Sequence, residues 1–226
     1  MNELERIVES AKQKDYSYLE FLNELLKQET QKREINRIKR NQNSAGFPCI
    51  KTLDEFDFRF QTSITKKEVN EWITFDWIDQ RKNKILMGPP GVGKTHLTIA
   101  TGFSAVNRGY KVLFRSMQKL IEEMILAESE RKFEIFINSL KRYDLIIIDE
   151  LGYLPMKPIV ANLFFQLINY CYEFKSIMIT SNKLFNEWGV FFSDQTIATA
   201  ILDRLLHHAE AVILNGDSYR LKGITE

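Results

Sequence analysis

The run Gly88-Pro89-Pro90-Gly91-Val92-Gly93-Lys94-Thr95 fits the pattern G-x-x-x-x-G-K-[ST] at every position. Glycines at that spacing let the backbone curl until successive N–H groups face a polyphosphate, and a following helix adds its positive N-terminal end. Lys94 would then reach the outer phosphates, and the Thr95 hydroxyl would be a ligand for Mg²⁺. The chemistry implied is the binding of ATP with Mg²⁺ over Gly88, Pro89, Pro90, Gly91, Val92, Gly93, Lys94, Thr95 and His96. The His96 side chain itself is read as packing in the helix. A Gly-rich turn with a chance lysine is the plain alternative; an apolar strand before the loop and a helix after it weigh against that.

A second group matches the first. Leu145-Ile146-Ile147-Ile148 runs into Asp149-Glu150, which places two carboxylates at the end of a buried strand, where open α/β sheets keep their ligand sites. Asp149 is expected to hold Mg²⁺ through water, and Glu150 to polarise an attacking water. An acidic pair that merely ends a strand is the competing reading. Asn182 follows the next apolar strand, where its amide could orient water or simply serve a turn. Arg204 and Arg220 are the arginines available late in the chain to neutralise transition-state charge; position alone does not separate that role from a solvated surface.

The elements that must position these groups follow from the apolar pattern. Strands are expected at Ile85–Met87, Lys111–Phe114, Leu145–Asp149, Ser176–Ser181 and Ala211–Leu214. Helices are expected at Lys94–Asn107, about 117–127, 130–142, 158–174 and Gln195–His207. Apolar runs without alternation suit a parallel sheet covered on both faces, hence a three-layer α/β domain over 47–226. Before it, Leu4, Ile7, Val8 and Ala11 fall at helical spacing, and Ser17 with Glu20 forms a capping box ahead of Leu19, Leu22, Leu25 and Leu26. This predicts a small helical domain over 1–46, its last helix reaching about Arg40 and Gly46-Pro48 marking the boundary. The span 49–70 reads as a connector.

Composition narrows the class. The 226 residues are 44% apolar, enough for a sizeable core, and carry 31 Lys and Arg against 30 Asp and Glu, a net charge of +1. Global charge therefore says nothing about nucleic acid; only local clusters can. The two cysteines, Cys49 and Cys171, lack metal-ligand spacing, which fits a reduced cytoplasmic protein. The charged N-terminus lacks the apolar run of a signal peptide, and no stretch is long and apolar enough to span a bilayer. No membrane partner is expected.

Several runs together resemble one family. Gly88–Ala100, Asp149-Glu150-Leu151-Gly152-Tyr153-Leu154-Pro155, Thr180-Ser181-Asn182, Ile201–His208 and Gly216–Lys222 look like the IstB-type transposition helper ATPases. These are similar to DnaC-type helicase loaders within the AAA+ proteins, and the resemblance extends to Phe47-Pro48 and Lys51–Phe58. It implies a P-loop AAA+ domain, with Asn182 as the sensor-one residue and Arg220 as the sensor-two residue. It implies that Arg204 is an arginine finger acting on ATP in a neighbouring subunit, hence a self-oligomer in the ATP state, and that Lys51–Phe58 lies near adenine. The Cys171-Tyr172 pair departs from the family, where an Arg is expected before the Tyr.

The function so implied is an ATPase that assembles on duplex DNA and delivers a target site to a transposase. A helicase loader in DNA replication, with a replicative helicase as partner, is the alternative; a nucleotide-binding module with no DNA role is a third reading. Asp203-Arg204-Leu205-Leu206-His207-His208 favours the first. For DNA contact, Lys27, Lys32, Arg33, Arg37, Lys39 and Arg40 stand against only Glu29 and Glu34 in the same stretch; a solvated helix face is the competing reading. Arg115 and Lys119 are further candidates through the likeness to loaders.

Overall fold

Four short apolar strands have to be buried between helices, and a fifth, mostly exposed, closes one edge of their sheet. The computed structural model describes residues 3–153 and 155–222. The strands β1 (Asn83–Met87), β2 (Val112–Ser116), β3 (Leu145–Leu151), β4 (Ser176–Ser181) and β5 (Ala209–Ile213) form one sheet in the order β2-β3-β4-β1-β5. Every neighbouring pair is parallel. All strand C-termini therefore share one edge, and the loops that leave them meet there.

The helices of this unit are α3 (Lys66–Trp72), α4 (Asp76–Asp79), α5 (Lys94–Asn107), α6 (Met117–Ser129), α7 (Phe133–Ser139), α8 (Pro158–Cys171), α9 (Trp188–Phe191) and α10 (Gln195–Leu206). They bury two separate apolar cores. One joins Ile146 and Ile148 of β3 to Leu120, Phe164 and Leu205. The other joins Leu145 and Ile147 of the same strand to Trp72, Leu97 and Ile99. Alternate residues of β3 thus feed opposite cores, which is the expected three-layer α/β arrangement.

The departures from expectation are local. The connector contains α3, started by Thr65 and Glu68 in a reciprocal capping box, and then α4; Thr65-x-x-Glu68 was legible as a helix start. The expected helix over 130–142 is α7 followed by a 3-10 turn, Leu140–Arg142. β5 begins earlier than its apolar run, because β1 supplies a ladder from Asn83 onward.

The N-terminal helices are α1 (Glu3–Gln13) and α2 (Tyr18–Ala45), and the chain divides into two compact units between Asn41 and Gln42, inside α2. Ser17 and Glu20 make the capping box: the Ser17 N–H donates to the Glu20 carboxylate at 2.8 Å and the Glu20 N–H to Ser17 Oγ at 3.3 Å. α2 runs past Arg40 because no residue before Gly46, at φ +80°, forces a left-handed turn. Leu19, Leu22 and Leu26 are more than half exposed; among the described residues of this unit only Ile7 is buried. The apolar run of α2 is therefore not a core face.

A lysine lies buried inside the sheet. Lys84 of β1 is 3% exposed, and its Nζ is 2.6 Å from Glu210 Oε2 on β5. It also lies 4.7 Å from the Trp72 ring and 5.3 Å from Trp77. Burial pushes its amine below the usual lysine range, and Glu210 pulls the other way. Trp72 Nε1 donates to the other Glu210 oxygen at 3.0 Å, tying α3 to the edge strand. Glu210→Ala strands that charge between two indoles. It should cost about 2 kcal/mol, less than for a fully buried pair because Glu210 is half exposed. Lys84→Met keeps the stem's volume and should cost less; equal losses of Tm in thermal denaturation would count against this account.

Candidate nucleotide site

The loop after β1 is held from behind. Gly88 N–H donates to Ser181 O at 3.2 Å, and Gly91 O accepts from Tyr219 N–H at 3.0 Å. Gly91 has φ +85°, and a Cβ there would lie 2.0 Å from Ser218 Oγ, so only glycine allows both the turn and the approach of the C-terminal segment. Lys94 opens α5 and is 9% exposed. Its Nζ donates to Gly88 O at 2.7 Å and Pro89 O at 2.8 Å. Gly88 and Pro89 thus hold the lysine rather than line the cleft. Burial lowers the Lys94 pKa, with Asp149 opposing. The first turn of α5 has no acidic residue, which leaves its N-terminal dipole to an anion.

Asp149 and Glu150 are separated by a bulge. β3 and β4 shift register between Ile148 and Leu151, and Glu150 takes a left-handed conformation at φ +65°. Asp149 stays 4% exposed and Leu151 fully buried, while Glu150 projects into solvent. The hydroxyl of Thr180 fixes this turn. It accepts from the Glu150 N–H at 2.9 Å and donates to Asp149 Oδ1. Thr95 Oγ1 donates to the same carboxylate oxygen at 3.0 Å. Burial raises the Asp149 pKa; Thr180, Thr95 and Lys94 pull it back in that order. Ionising Asp149 therefore costs stability in the nucleotide-free protein: the cost is absent below the ordinary aspartate range and appears as pH rises through the raised value.

Thr95, Glu150 and Thr180 border a cleft of about 480 Å³, whose lining does not include Asp149. Lys94, Thr95, Glu150 and Asn182 face it from the sheet edge, Arg220 from the C-terminal segment and Phe56 from the connector. Asn182 Oδ1 is buried with no hydrogen-bond partner among the described residues, a position that a ligand or water can satisfy. Arg220 sits on a 3-10 turn, Tyr219–Leu221, anchored by Lys222 Nζ at 2.8 Å from Asp57 Oδ2. Gln61 Nε2 donates to Val92 O at 3.0 Å and Asn215 O at 3.2 Å, joining connector, loop and C-terminal segment. Pro90, Gly91, Val92 and Gly93 line the cleft, as does His96, whose Nε2 donates to Thr52 O at 2.8 Å. Arg204 does not border it; its guanidinium lies over Phe165 of α8. The Thr95 hydroxyl and Asp149 carboxylate are hard oxygen donors side by side, a set that fits Mg²⁺ with its remaining positions filled by water and phosphate.

A parallel sheet with a phosphate loop after β1, an acidic pair closing β3 and a polar amide after β4 defines an AAA+ P-loop protein. Solved structures share the fold. A DNA replication initiation factor superposes with a TM-score of 0.61 at 24% identity, over 77% of this chain and 52% of that one. The DnaC helicase loader does so with 0.53 at 20% identity, over 78% and 99%. The chain thus spans about half of the initiator it matches.

Sequence takes the assignment further. The family model described as IstB-like ATP binding protein matches residues 1–226, and the chain belongs to that family. A Pseudomonas aeruginosa protein, named for ATP binding and for the insertion sequence IS21, is 45% identical over 219 residues, 97% of this chain and 83% of the relative. A Geobacillus stearothermophilus counterpart named for IS5376 is 40% identical over 216 residues, 96% and 86%.

Thr180 is the site residue that the sequence reading quoted without giving it a role. The signal was available: a hydroxyl near the end of an apolar strand whose parallel neighbour ends in acids. Thr180→Val keeps the shape but leaves the Glu150 N–H unpaired and removes one donor from Asp149. ATP turnover should fall by roughly tenfold or more, with ATP affinity nearly unchanged, and Thr180→Ser should recover most of it. Parental turnover by the valine variant in a phosphate-release assay would show that the hydroxyl is dispensable.

Proposed function

We propose that the protein is an Mg²⁺-dependent ATPase that assembles on duplex DNA and presents a target site to a transposase. One observation supports the assembly most directly: Lys94, Glu150, Asn182 and Arg220 converge on one cleft that Arg204 does not border. A phosphate-neutralising arginine outside its own cleft fits a finger supplied to a neighbour.

In this reading Lys94 exchanges the carbonyls of Gly88 and Pro89 for β- and γ-phosphate oxygens. Glu150, free in solvent at the cleft edge, takes a proton from the attacking water. Asn182 orients that water through the amide whose oxygen has no partner among the described residues. Arg220 neutralises charge within its own subunit. Thr95 and Asp149 would hold Mg²⁺, which supplies charge neutralisation along the phosphates. The Lys51–Phe58 connector forms the wall for adenine.

The insertion-sequence names of relatives at 45% and 40% identity support a role in transposition. The likeness to the helicase loader, at 20% identity, is one of fold. Replicative loading is therefore the weaker alternative.

For DNA, the basic stretch of α2 is the better candidate. Arg33 and Arg37 make exposed pairs with Glu29 at 2.7 Å and Glu34 at 2.6 Å. Such pairs are worth little and exchange readily for phosphates. Arg115, by contrast, is gripped at 2.9 and 3.0 Å by both oxygens of Glu123 in a part-buried pair, which weighs against it as a phosphate contact. Lys119 pairs loosely with Glu122 at 3.7 Å.

A chain beginning at Gln42, which keeps the C-terminal turn of α2 with its own unit, should bind duplex DNA more weakly. Its log affinity should fall less steeply with log salt, by about one unit of slope per lost phosphate contact. Identical curves for the two chains, measured by fluorescence anisotropy at several salt concentrations, would rule the arm out.

Arg204→Ala should bind ATP and turn it over poorly, while Lys94→Ala should not bind it. A mixture should regain activity, since one variant keeps the pocket and the other the finger. A co-assembled mixture that stays inactive would place the action of Arg204 within its own subunit.

A further inference from the structure

The run Asp203–His208, the most family-specific part of the sequence, is docked on α8. Tyr172 at the end of α8 and His207 at the end of α10 share a hydrogen bond of 3.1 Å between Oη and Nδ1, with rings 5.8 Å apart. One turn earlier, Arg204 Nε donates to Asn169 Oδ1 at 2.8 Å, and its guanidinium carbon lies 4.8 Å from the Phe165 ring centre. A third anchor is the Ala200 carbonyl, 3.0 Å from one terminal nitrogen. Because arginine only donates, the Asn169 atom facing it is the oxygen.

Every one of these anchors is neutral. Among the described residues no carboxylate lies within ion-pair distance of Arg204, although Asp203 is its chain neighbour. Arg33, Arg37 and Arg115 are each paired with a glutamate. A planar guanidinium held by an amide oxygen, a carbonyl and a ring face has its orientation fixed and its charge unspent. The second terminal nitrogen, with both of its hydrogens, makes no hydrogen bond among the described residues.

We infer that Asn169, backed by Phe165, is a positioning residue for Arg204: it aims the guanidinium through Nε and leaves the outer edge with its full charge for the phosphate of a neighbouring copy's nucleotide. The inference rests on the finger reading of Arg204 given above. It also gives the Asp203–His208 run a physical purpose, since His207 on Tyr172 fixes the end of the helix that carries the finger.

The test compares three variants of the full chain, Asn169→Leu, Asn169→Asp and Arg204→Ala, at protein concentrations where each assembles. Turnover, KM for ATP and Tm are measured for each. Asn169→Leu removes the acceptor at similar volume. Asn169→Asp keeps the acceptor and adds a charge that pairs with the finger. Both should lower kcat about tenfold, with KM and Tm at parental values. A purely structural Asn169 would tolerate aspartate, so parental turnover by Asn169→Asp overturns the inference. So does a loss in Asn169→Leu that tracks a fall in Tm or a rise in KM. Parental turnover by Arg204→Ala is a different failure: it removes the finger reading itself, and this inference with it.

Discussion

Asp149 is a carboxylate placed where water cannot hydrate it, and the arrangement of the site follows from that. An ion in such a position has to be met by donors. Its donors come from separate elements: Thr95 from the first turn of α5, where the charge of Lys94 also faces it, and Thr180 from β4. Satisfying one side chain therefore fixes the relation of one helix and two strands. The sheet register serves the same end, because β3 and β4 must slip between Ile148 and Leu151 for Glu150 to leave the ladder while Asp149 and Leu151 stay buried.

The opposite wall of the cleft is assembled by weaker means. Gln61 bridges the loop and the segment after β5, and Asp57 holds Lys222 beside Arg220. Lys222 also rests 5.2 Å from the Phe60 ring and 5.0 Å from Tyr219. The sheet edge is thus set by buried hydrogen bonds, while the connector and C-terminal wall combine the buried amide of Gln61 with the exposed Lys222–Asp57 pair, which salt screens and which opens at lower cost. Such a division suits a cleft that has to admit a nucleotide and then close on it.

The sheet was legible in the sequence because its signals are local. Apolar runs such as Ile146–Ile148 and Ile177–Ile179 are buried on both faces and could be read without knowing their neighbours. The phosphate loop was legible because backbone geometry forces its glycines. What escaped depends on partners distant in the chain. Thr180 matters only once β4 lies beside β3. The Lys84 charge lies in a strand because Trp72, Trp77 and Glu210 surround it. Two of the neutral anchors of Arg204, Asn169 and Phe165, come from a different helix, Asn169 being 35 residues earlier. The apolar spacing of α2 located a helix and nothing more, since helical periodicity shows that a face exists and not what covers it. The capped start of α3 was a local signal passed over because the connector's composition suggested a loop.

Glu150 stands in a left-handed backbone conformation that costs a side chain with a Cβ on the order of 1–3 kcal/mol. Glycine would relieve the strain, and asparagine would relieve part of it. A directed-evolution campaign that screened this protein for heat resistance alone would accordingly be drawn to this codon. On the ATPase reading proposed above, the sturdier chains so enriched would have lost the water-polarising carboxylate, so a screen for hardier forms has to score activity in the same round.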